Sequence, residues 1–266
     1  MTPADLADLA DEVRAGKLGP DPGQVRVSVA FTTHQGVRHA SRGQSYRNSV
    51  VSLRVDRAVG SCAVEPGDIS DDDVHDTVGA SVADLLDHPH AALRIAALDA
   101  YLMSAHPHET SGAHPVVVPA GGSLEKSMAR AATVVDLLDL PPGGRVLVVG
   151  VVNSLLHHLR SRGLDYTACD LKGGRTEWGE PIVADADPGD CDAVLASGMT
   201  LGNGTFEPLL RAAAGRPVVV FAQTGSAVLP WFVGAGVTAV SAEPYPFFWL
   251  DGGPSTIHIY RERPSW

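Results

Sequence analysis

The run Arg145-Val146-Leu147-Val148-Val149-Gly150 decides the fold. From Val146 to Val149 it is apolar without a break, so it has no face for solvent, and it ends on glycine. Such runs suit strands buried on both faces of a parallel sheet. A helix pattern precedes it, Leu124 to Leu140, stopped by Pro141-Pro142-Gly143-Gly144. A helix from Ser154 to Arg162 and a strand from Tyr166 to Asp170 follow. Further strands are expected at Ala193–Ala196, Val218–Ala222, Val237–Val240 and Thr256–Tyr260, with helices at Phe206–Ala214 and Ala227–Ala235. Repeated β-α-β units predict a Rossmann-like, doubly wound parallel sheet, and the chain as a whole is α/β.

Upstream the pattern changes. Thr2 to Ala15 reads as an acidic amphipathic helix with Thr2 as N-cap and Pro3 at its first position. From Gln24 the apolar period is two: Val25, Val27 and Val29 alternate with Arg26 and Ser28. His34-Gln35-Gly36 is expected to turn this strand into a second one at Val37–Ser45, with a third at Val50–Val55. Helices should follow at Asp71–Leu86 and Ala91–Met103. An antiparallel meander followed by helices is an α+β unit. The expected domains are therefore residues 1–118 (α+β) and 119–266 (Rossmann-like). The boundary should fall between His114 and Leu124.

Composition narrows the partners. The 266 residues carry a formal net charge of -11, which argues against nucleic acid or an anionic membrane as partner. Three scattered cysteines, Cys62, Cys169 and Cys191, form no CxxC pair, so neither a disulfide framework nor a thiolate zinc site is expected. The first residues lack the features of a signal peptide, and no run reaches the roughly 18 apolar residues that cross a bilayer. A cytoplasmic location is the expectation.

In a doubly wound sheet, ligands bind beyond the carboxyl ends of the strands. Five loops lie there. Gly150-Val151-Val152-Asn153-Ser154 offers backbone amides at a helix N-terminus but is not GxGxxG. Asp170 stands where a carboxylate accepts ribose hydroxyls in nucleotide and S-adenosylmethionine sites; a solvated loop carboxylate is the alternative. Ser197 to Thr205 is the richest, with Gly198, Thr200, Asn203, Gly204 and Thr205 before a helix; a plain helix cap is the alternative. Gln223-Thr224-Gly225-Ser226 and Glu243-Pro244-Tyr245-Pro246 complete the set, the last followed by Phe247, Phe248 and Trp249.

The histidines could serve a metal, since imidazole is the commonest metal ligand. His106, His108 and His114 are the best candidates, because one loop could fold them around an ion; most are expected to be solvated or capping. His157 and His158 point about 100° apart on a helix and cannot share an ion.

The loop SGMTLGNGT at 197–205 resembles the TGTTLVNGT-type signature of the DUF364 proteins, a family named for heavy-metal chelation. Gly43-Gln44-Ser45-Tyr46-Arg47 and the helix AALRIAALDAYL at 91–102 are similar to segments of the DUF4213 domain that precedes it in that family. The resemblance spans about residues 24 to 260 and implies an enolase-N-terminal-like first domain and a ligand site between domains. Asp99 departs from the family's usual Asn, and Gly150 is followed by Val-Val-Asn rather than His-Phe-Pro. By this resemblance the C-terminal loops form one wall of the site and Ser45, Tyr46 and Asp99 the other, with Glu243 and Tyr245 also on the substrate.

The expected function is binding of a small molecule or metal chelate in a cleft between the domains; the cofactor is left open between a divalent metal and S-adenosylmethionine. The alternative is an enzyme holding S-adenosylmethionine or a nucleotide at Gly150–Ser154 and Asp170, and acting on an amino-acid-like substrate. A purely structural module would not explain so many polar glycine loops at strand ends. A homo-oligomer is an open arrangement.

Overall fold

The computed structural model describes residues 3–38 and 45–264, with the side chains of Arg38, Ser45 and Tyr46 outside the description. Helix α1 (Leu6–Arg14) begins on Asp5, whose carboxylate accepts from the Asp8 amide. The expected cap, Thr2, lies outside the described residues.

Strands β1 (Val27–Arg38), β2 (Ser45–Val55) and β3 (Ala58–Val64) form an antiparallel sheet in that order. A three-stranded meander is present, but its strands are displaced from expectation: Val50–Val55 is the end of β2, β3 was not foreseen, and most of the strand expected at Val37–Ser45 lies outside the described residues. His34-Gln35-Gly36 continues β1, paired with Arg47, Asn48 and Ser49 of β2. The second reversal is the tight turn at Asp56-Arg57. The helix expected at Asp71–Leu86 is broken into α2 (Asp71–Asp76) and α3 (Val82–Leu85). Gly79 at φ +87 ends the first piece, and Ser81 caps the second by accepting from Asp84. The long buried helix α4 (Ala91–Ala105) then packs on β2 and β3.

The second unit is a seven-stranded sheet. Its elements are β4 (His114–Val118), α5 (Ser123–Asp136), β5 (Arg145–Val149), α6 (Asn153–Ser161), β6 (Asp165–Cys169), a small β7–β8 pair (Gly174–Arg175 and Pro181–Ile182), β9 (Ala193–Ser197), α7 (Met199–Gly202), α8 (Phe206–Ala212), β10 (Val218–Ala222), β11 (Ala239–Ala242) and β12 (Ser255–Tyr260). The order across the sheet is β4-β12-β11-β10-β9-β5-β6. The five strands from β11 to β6 are parallel; β12 is antiparallel to both its neighbours. The chain thus departs from β5 first to one side and then to the other. The switch point lies between the ends of β5 and β9.

Two features of this unit differ from expectation. Val237–Val240 starts as a loop, and the strand is Ala239–Ala242. The helix at Ala227–Ala235 is only a 3₁₀ turn, Leu229–Phe232, because Pro230 and Gly234 interrupt it. In addition, β4 begins at His114 and pairs with β12, so the large sheet recruits chain from before residue 119.

Alternation along the strands divides the core. Val146, Val148, Leu195, Val219 and Phe221 face α5 and α6. Leu147, Val194, Val218, Val220 and Val240 face the other way, into a cluster continuous with Phe206, Trp231, Ala96, Ala97 and Leu53. The N-terminal unit therefore packs onto one face of the large sheet rather than hanging from a linker. Among the described residues, no helix is long and apolar enough to cross a membrane.

Candidate functional site

A cavity of about 310 Å³ opens at the switch point, near the lower end of the size range for small-molecule sites. Gly150, Val151, Val152 and Ser154 line it from the β5 end, Ser197 and Met199 from the β9 end, and Gln223 and Thr224 from the β10 end. Gln35, Arg47, Asn48 and Val50 of the β1–β2 hairpin close the opposite side. Gly150 has φ +83, and a Cβ there would lie 2.6 Å from that of Ser197, so glycine is required where the two loops meet. Helix α6 has no side-chain cap at Val152. Its first turn, with its partial positive charge, therefore opens onto the cavity. Ser154 donates to or accepts from Ser127 at 2.9 Å, tying α6 to α5.

The strongest group in the cavity was not foreseen. Arg130, on α5, is 4% exposed and lines the wall. Its Nε donates to Glu243 at 2.7 Å, and Glu243 is itself 2% exposed. The guanidinium lies over the rings of Phe221 at 4.7 Å and Phe248 at 5.7 Å. Its terminal amino groups donate to no other described side chain or carbonyl. One turn earlier, buried Lys126 donates to the carbonyls of Asp251 (3.1 Å) and Gly253 and to Ser255 Oγ (3.0 Å). These bonds pin the loop that carries Trp249, and Trp249 Nε1 donates to Gln223 Oε1 at 3.1 Å. The signal was visible: Lys126 and Arg130 fall at i, i+4 with Ala131, Val134 and Val135 on the buried side of α5.

The other expected residues divide sharply. Gly150, Ser154, Asp170, Ser197, Gln223 and Thr224 meet in the cavity. Asp170 Oδ1 also accepts from the Lys172 amide. The remainder serve the fold around it. Asn153 is buried and its side chain accepts from the Glu177 amide. Gly198 has no room for a side chain, since a Cβ would lie 2.5 Å from the Thr224 carbonyl oxygen. Thr200 donates to the Ser197 carbonyl, and Ser226 is buried. Gly204 and Asn203 are exposed, and Asn203 Oδ1 accepts from the Thr205 amide and hydroxyl. Asn203→Ala is accordingly expected to lower stability by less than about 1 kcal/mol and leave ligand affinity unchanged, as paired denaturation and titration would show. Tyr245 packs edge-on against Phe31 and Phe247. Ser45 and Tyr46 begin β2, and their side chains fall outside the described residues.

Asp99 is not in the cavity; it holds the seam behind it. Its two carboxylate oxygens accept from the amides of Ser61 (2.8 Å) and Ala227 (2.7 Å), joining α4, β3 and the loop after β10. Thr224 Oγ1 accepts from the Ala63 amide, and the Gly225 amide donates to the Ser61 carbonyl. Burial pushes Asp99 up to about 7, against the pull of the amides that bond it. A carboxyl raised in the folded state stabilises fully below its unfolded value, near 3.9, and loses that contribution as pH rises through about 7. The stability advantage of wild type over Asp99→Asn should therefore be larger at pH 4 than at pH 8, measured by urea unfolding. Burial, with Asp99 beside it, also pushes the Cys62 thiol up, so it stays protonated.

The three candidate metal histidines do not converge. His106 Nε2 donates to the Leu18 carbonyl at 2.8 Å and its ring meets Trp231. His108 is buried, bonded through Nδ1 to the Tyr260 hydroxyl at 2.6 Å and stacked on His258. Burial drives His108 down to about 3, so it is neutral. His114 is an exposed edge-strand residue. Among the described residues, no group of three or more His, Cys, Asp or Glu side chains is placed to hold a metal. The described cavity lining contains one carboxylate, Asp170, one thioether, Met199, and no thiol or imidazole. That donor set does not fit a soft heavy-metal ion ligated directly by the protein.

Fold and site together define an α/β protein with a basic, hydroxyl-rich cavity at the switch point of a mostly parallel sheet. Residues 133–242 match the family DUF364, whose description reads "Putative heavy-metal chelation", in agreement with the resemblance of the 197–205 loop. No curated protein matches the chain. The fold is that of a DUF364 protein of unknown function from Desulfitobacterium hafniense DCB-2, with a TM-score of 0.62 at 13% identity over 94% of this chain and 96% of that one. It is also that of one from Pyrococcus horikoshii, with a TM-score of 0.55 at 12% identity, covering 94% and 99%.

Proposed function

We propose that the protein binds a small organic anion in the switch-point cavity, together with any metal ion that the anion itself chelates. The observation that carries this is Arg130. A guanidinium buried against two rings, oriented by one buried carboxylate through Nε, presents its remaining donors as a fork suited to a carboxylate. The uncapped N-terminus of α6 and the hydroxyls of Ser127, Ser154 and Ser197 favour the same sign of charge. Heavy-metal chelation, the family's description, then means recognition of a metal already wrapped by organic oxygens. Such a ligand needs no thiolate or imidazole from the protein.

Thermal-shift measurements with citrate, 3,4-dihydroxybenzoate and sulfate test this. At least one carboxylate should raise the midpoint, because a ligand that binds only the folded state stabilises it, and Arg130→Lys should reduce the rise. No shift with any carboxylate at millimolar concentration would contradict the reading.

A second reading, a nucleotide or S-adenosylmethionine cofactor and hence an enzyme, is favoured by Asp170, which lines the same cavity at the end of β6. Calorimetric titration with S-adenosylmethionine and ATP decides it. Tight binding weakened roughly tenfold to a hundredfold by Asp170→Ala supports that reading. No heat from either compound rejects it.

A further inference from the structure

The cavity is not uniformly polar, and its apolar part has a shape. Phe221 and Phe248 flank Arg130, and Trp249 continues the same wall. The Trp249 ring is held in place on two sides: it stacks on Phe247 at 5.4 Å and 27°, and its Nε1 donates to Gln223. Lys126, through the carbonyls of Asp251 and Gly253, fixes the chain just beyond it. A half-buried indole whose orientation is set by a hydrogen bond, a stacked ring and a buried lysine is a preorganised flat surface. Val37 and Val50 of the hairpin also line the cavity, so its apolar lining comes from the hairpin as well as from the aromatic wall. The charged anchor, Arg130, lies against the aromatic part of that lining.

We infer that the ligand is an aromatic carboxylate: its carboxylate occupies the Arg130 fork while its planar ring lies along Trp249 and Phe248. The inference rests on the anion-binding reading above and narrows it to one chemical class. It disfavours ligands whose surface is polar throughout, such as citrate, because these would bury their own polar groups against Val37, Val50 and the aromatic wall without hydrogen-bond partners there. It also places any chelating oxygen pair at the end of the ring away from the carboxylate, toward Arg47 and Asn48 at the hairpin, since the carboxylate is already engaged.

Calorimetric titration with three probes separates the contributions. The first is 3,4-dihydroxybenzoate, which carries both ring and carboxylate; the second is catechol, the ring and hydroxyls without the carboxylate; the third is citrate, carboxylates without a ring. Wild type should bind the first at least tenfold more tightly than either of the others. Arg130→Lys should weaken 3,4-dihydroxybenzoate at least tenfold, since lysine keeps the charge and loses the fork. Trp249→Leu should weaken it about tenfold and leave citrate unchanged. Trp249 is half-buried at the surface of its loop, and circular dichroism with the unfolding midpoint confirms that this variant folds. If citrate binds as tightly as 3,4-dihydroxybenzoate, or Trp249→Leu has no effect on the latter, the aromatic assignment is overturned while the Arg130-dependent anion site stands. If no carboxylate binds, or binding ignores Arg130, both fall.

Discussion

Asp99→Ala is expected to cost about 2–6 kcal/mol of stability, because it strands two buried amides at about 1–3 kcal/mol each. The amides belong to Ser61 and Ala227, which lie in different units of the fold, and Asp99 is 1% exposed, so water cannot replace it. A loss of that size is a large share of a typical 5–15 kcal/mol. Asp99→Asn should recover only part of it. An amide has one acceptor oxygen, and its NH₂ would face the second backbone donor. Because Thr224 and Gly225 join the same seam, the Ala variant should also loosen the Gln223–Thr224 wall of the cavity. Urea unfolding gives the first result, and a change of less than about 1 kcal/mol would show that the seam does not depend on Asp99.

Arg130→Met is the second large effect. It removes the cation and leaves Glu243 charged and buried, with Ser241 as its remaining side-chain partner at 3.3 Å. Breaking one side of a buried pair costs about 3–5 kcal/mol. Replacing both members, Arg130→Met with Glu243→Gln, should restore most of that stability, since no uncompensated charge remains. Carboxylate binding should stay lost in the double variant. That divergence separates a pair kept for structure from one kept to orient a ligand-binding arginine. Recovery of both properties together would assign the pair to structure alone.

How much of this was legible can be traced to particular residues. Val146–Val149 announced a buried parallel strand because such strands need an unbroken apolar run, and the strand-end rule named Gly150, Asp170, Ser197, Gln223 and Thr224, which line the cavity. Strand-end rules follow from topology, and topology follows from the β-α-β alternation. The β1–β2 register was not legible, because His34-Gln35-Gly36 has turn-like residues in a strand whose pairing decides otherwise. β4 was hidden in a Pro-flanked valine run that only its pairing with β12 makes a strand. Asp99 and Asn153 were read as ligand contacts, but each spends its acceptors on backbone amides, a use no spacing rule reveals. Arg130 was missed because a charged residue on a helix is ordinarily solvated. Only its place on the apolar stripe with Lys126 distinguishes it. The histidines failed as a cluster because His106 is bonded to Leu18, His108 is buried against Tyr260 and His258, and His114 is exposed on the edge strand.

The most direct test of the anion site is a crystal structure of the wild-type protein grown with 3,4-dihydroxybenzoate. The carboxylate should lie within about 3 Å of the Arg130 terminal nitrogens, at the ends of β5 and β9, in hydrogen bonds of ordinary charge-assisted length. Density for the compound away from Arg130, or an Arg130 fork bonded only to water with the compound present, would contradict the account.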